Sequence, residues 1–153
     1  MAMHNWFECK VGYEKTFEDG TRKKVFEPYL VDALTFTEAE ARIIEEITPF
    51  ITGEFIISDI KRAKIAELFD NPKGDRWFKA KLLFITIDER NGKEKKTPSL
   101  VMVKALDFSS ALSNLMEGMK GTMADFEVAQ MNETNIMDVF YYEGTKGEKI
   151  VQE

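Results

Sequence analysis

The chain of 153 residues has one cysteine and one histidine. A lone Cys9 rules out an intramolecular disulfide and any cysteine-rich zinc site. A single His4, close to the terminus, leaves no partner set for a serine, cysteine or histidine-metal catalytic centre. No apolar run approaches bilayer length. The first residues lack the basic region and apolar stretch of an export signal. Neither a phosphate-cradling loop nor the dinucleotide glycine pattern is present. Asp70 and Asp75 flank a glycine-containing turn without the alternating ligands of a calcium loop, so they read as turn formers. These absences expect no cofactor, no metal, no membrane partner and a reducing, cytoplasmic setting.

What is present is ordinary for an ordered domain: 44% apolar and 31% charged residues, with a net charge of −6. The charge is uneven. Residues 71–104 carry 9 basic and 4 acidic groups, while residues 105–153 carry 3 and 9. A chain of this length hides roughly 70% of its unfolded surface, enough for a core without covalent staples.

The sequence reads as two copies of one plan. Trp6-Phe7 returns as Trp77-Phe78, Lys10 as Lys81, Asp19-Gly20 as Asn91-Gly92, and Lys23-Lys24 as Lys95-Lys96. Phe36, Ala39, Glu45, Phe55, Ile65 and Phe69 meet Phe108, Ala111, Glu117, Phe126, Ile136 and Phe140. Each copy opens with period-two alternation, Phe7, Cys9, Val11 and Tyr13 taking one side. The Asp-Gly and Asn-Gly pairs predict type I′ hairpin turns. Return strands are expected over residues 25–34 and 100–106, with Pro28 and Pro98 marking an edge, a bulge or a strand start.

A helix follows in each copy. Thr37 with Glu40 predicts a capping box, stapled by Phe36 on Ala41. The core stripes are Phe36, Ala39, Ile43, Ile44 and Ile47, then Ala111, Leu112, Leu115, Met116 and Met119, with Arg42 facing water. Pro49 and Gly121 stop the two helices. Residues 54–69 and 125–140 then hold one bent strand or two short ones. Met116, Met119, Met123, Met131 and Met137 read as adaptable core filler. The fold class is α+β: an internal duplication, mostly antiparallel sheet with two helices about a pseudo-twofold axis. Residues 1–142 are expected to form a single domain with a shared core, built of repeats 6–69 and 77–140 around the turn 70–76. Residues 143–153 form a polar tail.

The stretches WFECKVGYEKT (6–16), EPYLVDALTFTEAEARIIEE (27–46), GEFIISDIKRAK (53–64), MKGTMADFEVA (119–129) and NIMDVF (135–140) carry a family resemblance. The chain resembles an uncharacterised Bacteroidetes family catalogued as a domain of unknown function. That resemblance implies a bacterial, cytoplasmic protein and transfers no catalytic or binding residue.

One constellation stands above background. With Phe7 and Phe78 inward, alternation turns Trp6 and Lys10 outward, and likewise Trp77, Lys79 and Lys81. Lys23, Lys24, Lys95 and Lys96 add charge near the hairpin tips. Rings beside cations on a sheet face hold single-stranded nucleic acid. The bland alternative buries the tryptophans and leaves the lysines to protect strand edges. The leading reading is a non-enzymatic binding or interaction module, with a second copy of the chain as one partner. A single-stranded nucleic-acid binder is the alternative, and an enzyme with a carboxylate site between the repeats is the third.

Overall fold

The computed structural model describes residues 5–142; His4 and the tail 143–153 lie outside the described residues. The chain divides into two compact units, residues 1–64 with 136–153, and residues 65–135.

The first unit begins with β1 (Trp6–Thr16) and β2 (Arg22–Asp32), an antiparallel hairpin pairing Trp6 with Asp32 and Thr16 with Arg22. Helix α1 (Phe36–Ile47) and strand β3 (Phe55–Ala63) follow. The second unit contains β4 (Glu67–Phe69), the hairpin β5 (Arg76–Ile87) and β6 (Glu94–Ala105), helix α2 (Phe108–Gly118) and β7 (Asp125–Glu133). The last strand, β8 (Val139–Phe140), belongs to the first unit. The sheets run β3-β1-β2-β8 and β4-β6-β5-β7. The class is therefore α+β, with two mixed sheets.

The segment after each helix resolves into two strands, and these part company. Strand β3 pairs with β1, but β4 continues into the second sheet, parallel to β6. Strand β7 pairs with β5, but β8 joins the first sheet, parallel to β2. The Leu30 amide donates to the Asp138 carbonyl at 3.1 Å and the Met137 amide to the Pro28 carbonyl at 2.9 Å. Pro28 sits on the side of β2 facing β8, below the two residues that β8 pairs. Pro28 still accepts from Met137, and its missing donor falls at the end of that short ladder, the edge-like position expected of it. Pro98 lies likewise beyond the reach of β4, which pairs only Val101–Val103.

Each helix lies on one face of its sheet. Phe7, Cys9, Val11, Val31 and Ala33 are buried with Ala39, Ile43 and Ile47 of α1. Ala80, Leu82, Val101 and Val103 are buried with Leu115 and Met119 of α2. Fully burying a Phe, Leu or Ile side chain favours folding by about 1.5–3 kcal/mol, so these two layers dominate the stability of their units. Arg42, expected in water, instead donates to the carbonyls of Asp32 at 2.6 Å and Tyr141 at 2.7 Å. The Asp32 carboxylate accepts from the Asn5 amide at 3.1 Å and the Tyr142 amide at 3.4 Å. Together they pin the chain where it leaves β8.

Several local expectations are corrected. No residue other than glycine has positive φ among the described residues, so neither hairpin uses a type I′ turn. The Gly20 amide donates to the Phe17 carbonyl and Gly20 alone takes φ 87°, a turn followed by one left-handed glycine. The α1 cap is Thr35, whose hydroxyl accepts from the Glu38 amide at 3.1 Å while the Glu38 carboxylate accepts from the Leu34 amide. It lies two residues before the predicted box because the helix starts at Phe36. Met116, Met123 and Met137 are exposed, so of those five methionines only Met119 and the half-buried Met131 serve as core filler.

Candidate functional site

The strand registers sort the nine basic and aromatic candidates by face, because directly opposed residues share a face and neighbours along a strand do not. Trp6, Lys10 and Lys24 lie on the helix-free face of the first sheet. Trp77, Lys79, Lys81 and Lys96 lie on the helix-free face of the second. Lys23 pairs with Lys15 and Lys95 with Thr86, on the helix-bearing sides. Each Lys-Lys pair is thus split across its sheet, and seven of the nine positions remain on helix-free faces.

Both tryptophans turn away from the helices, as alternation requires, but neither is available for stacking. Trp6 is 2% exposed and Trp77 3%. Trp6 meets Tyr141 edge-on at 5.5 Å, and the Lys104 ammonium sits 5.7 Å from the Trp77 ring centroid. Period two gives a side chain's direction and not its cover. Leu30 and Met102, on the same helix-free faces, are buried as well. The exposed-ring expectation for Trp6 and Trp77 is therefore corrected.

The remaining charges differ between the sheets. On the first, Glu8 pairs with Lys61 at 3.7 Å, Glu14 with Arg22 at 3.0 Å, and Lys10 stands opposite Asp59. On the second, Lys96 bonds Glu127 at 3.0 Å. Lys79 stands between Met102 and Asn132, and Lys81 between Leu100 and Gln130, so no carboxylate opposes either in register.

A cleft of about 460 Å³ opens on the helix-free side of the first unit, where β1 and β2 meet the start of β3. Gly12 and Ile56 line it, with Glu14, Arg22, Lys24 and Glu54 around them. A methyl group on Gly12 would sit 2.7 Å from the Phe26 ring and 3.2 Å from Ile56. In the second sheet the position two beyond Lys81, as Gly12 is two beyond Lys10, is Leu83, and Glu127 stands opposite it. There a side chain stands where here the Phe26 ring lies across a glycine.

Cys9 is fully buried, and burial, reinforced by the negative charges of Glu8 and Asp59, pushes its thiol up to about 12. It is protonated at neutral pH and no nucleophile. Among the described residues no three His, Cys, Asp or Glu side chains group as metal ligands.

The feature that sequence reasoning missed lies on α2. Phe108, Leu112 and Met116 are 55, 42 and 48% exposed, spaced four residues apart along one line of the helix. Leu106, just before the helix, and Met123, in the loop after it, are exposed as well. Leu112 and Met116 were assigned to the core stripe, yet only Ala111, Leu115 and Met119 go inward. A signal was there: α2 carries one charge, Glu117, and its apolar arc is wider than one sheet can cover. On α1 the matching line is Phe36, Glu40 and Ile44, broken by a carboxylate.

Two mixed sheets, each carrying one helix, with an apolar line exposed on α2, define an α+β protein. Residues 5–142 match the family model described as domain of unknown function DUF4494, and the chain belongs to that family. No curated protein matches it. Among the described residues no helix is long and apolar enough to cross a membrane.

Proposed function

We propose that the protein is a non-enzymatic interaction module that works as a homodimer through the outer face of α2. The observation that carries this reading is the solvent-facing line Phe108, Leu112 and Met116, an apolar surface of the kind that marks association sites. A second copy suits it because the line bears no charge, so it can lie against itself in a twofold contact without like-charge repulsion. The corresponding line on α1 would place Glu40 against Glu40. Edge-to-edge pairing of sheets is the weaker route. The long edge strands β3 and β7 each carry a bulge, at Ser58 and Ala129, where the register slips by one. Bulges of this kind blunt an edge against further pairing. A reducing cytoplasm of a bacterial cell suits the lone buried thiol and completes the proposal.

Sedimentation equilibrium tests it. The wild type is expected to dimerise at about 100 μM or below, and Leu112→Glu to raise the dissociation constant by roughly 100-fold or more. A wild type that stays monomeric, or a dimer indifferent to Leu112→Glu, removes the proposal.

A second reading, binding of single-stranded nucleic acid, is favoured by one observation only: Lys79 and Lys81 lack an opposing carboxylate. Without its stacking rings such binding would be electrostatic and fall steeply with salt. Retention of an oligonucleotide that survives moderate salt, or that persists after Lys79→Gln with Lys81→Gln, contradicts it.

A further inference from the structure

We infer that the cleft beside Gly12 is a binding site for a small monocarboxylate joined to a compact apolar group. The inference is independent of self-association through α2. The volume of about 460 Å³ falls among cavities that hold small ligands. Ile56 and the Gly12 backbone line the cleft, with Tyr13 and Phe55 as its other apolar residues, and the Phe26 ring lies across the glycine. Glycine in the interior of a strand removes a side chain where something must approach the backbone closely. At Gly12 the Phe26 ring makes that approach, and the cleft lies beside it.

The charged rim selects the ligand. Arg22 is held by Glu14 at 3.0 Å. Lys24 lines the cleft too, and its ammonium lies 5.7 Å from the centroid of the Phe26 ring that covers Gly12. A carboxylate meeting Lys24 places its attached group against Ile56. Glu14 and Glu54 on the same rim oppose a second negative charge, so a phosphate dianion is disfavoured where a monoanion is accepted. At the matching place in the second sheet Leu83 stands opposite Glu127, and Glu127 pairs with Lys96.

Titration of the full chain with 3-phenylpropionate, followed by amide NMR, tests the site; inorganic phosphate and acetate serve as separate probes. The expected result is saturable shifts at the Gly12, Gly53 and Ile56 amides with phenylpropionate and none with the other two. Lys24→Gln, an exposed substitution, is expected to weaken the binding about tenfold. Ile56→Ser should weaken it too, with the remaining amide spectrum unchanged as the check on folding. No shift at about 10 mM ligand overturns the inference, as does equal binding by Lys24→Gln or phosphate binding as strong as that of the carboxylate.

Discussion

Replacing Gly118 by alanine sets two effects of known size against each other. Gly118 is the last residue of α2, and alanine there gains up to about 1 kcal/mol of helix propensity, less at a helix end. Read from sequence, Gly118→Ala should stabilise. In the structure a methyl group on Gly118 would stand 2.7–2.9 Å from three atoms of the Phe69 ring, the Cγ among them. Phe69 is the last residue of β4 and packs on Leu115, Met119 and the strand residues beneath them. The clash reaches the ring near its attachment, so rotation of a flexible tip cannot relieve it. Overpacking of this kind costs about 1–3 kcal/mol. The net expectation is a loss of roughly 1–2 kcal/mol, read as a lower urea midpoint with an unchanged slope. Phe69→Leu made together with Gly118→Ala should return part of the loss, because the two sites are coupled. A Gly118→Ala protein more stable than wild type would mean that β4 does not lie against α2, and the assignment of β4 to the second unit would fall.

Three further outcomes follow from particular groups. The folded-state thiol of Cys9 is raised from 9.0 to about 12, so its contribution to stability is complete below pH 9 and is lost as pH rises toward 12. A thiol reagent should leave the folded protein unlabelled at pH 8 and modify it in denaturant; rapid labelling of the folded chain would contradict the burial of β1. Val139→Ala removes two buried methyl groups from β8 and should cost about 1.6 kcal/mol. Ending the chain after residue 135 should unfold the first unit, since β2 then loses its β8 neighbour; an unchanged melt of either protein refutes the placement of β8. The Asp107 carboxylate caps α2 by accepting from the Ser110 hydroxyl and amide, which lowers its pKa. That support is present above the ordinary carboxylate range and is lost on acidification, so Asp107→Ala should flatten the acid limb of helix content, measured by circular dichroism.

The parts of the fold legible in the sequence were those set by local periodicity and turn residues. Phe7, Cys9 and Val11 announced a half-buried strand and occupy one. Gly20 and Gly92 marked the hairpin tips, although the turns differ from the type that Asp-Gly and Asn-Gly suggest. The destinations of β4 and β8 were not legible. Strands of three and two residues carry too few alternating positions to specify a partner, and their pairing is set by long-range packing. The two strand orders match, and both slips of register fall four residues beyond a tryptophan, at Lys10 and Lys81. Internal duplication remains the proposal that best accounts for this. The candidate site suffered most from reading direction without cover. Alternation placed Trp6 and Trp77 on the face that carries them, but burial there comes from residues remote in sequence, Tyr141 in the case of Trp6. The α2 line escapes the periodic pattern because an apolar residue need not point inward, and on α2 the apolar arc exceeds what the sheet covers.

Self-association through α2 is tested most directly by a cysteine placed at the centre of the apolar line. Cys9 is buried, so a new thiol would be the accessible one. Oxidised Leu112→Cys is expected to run as a covalent dimer of twice the chain mass, whereas Glu40→Cys, at the matching place on α1, stays monomeric. Oxidised chains that remain monomeric in both variants, or that cross-link equally in both, would contradict it.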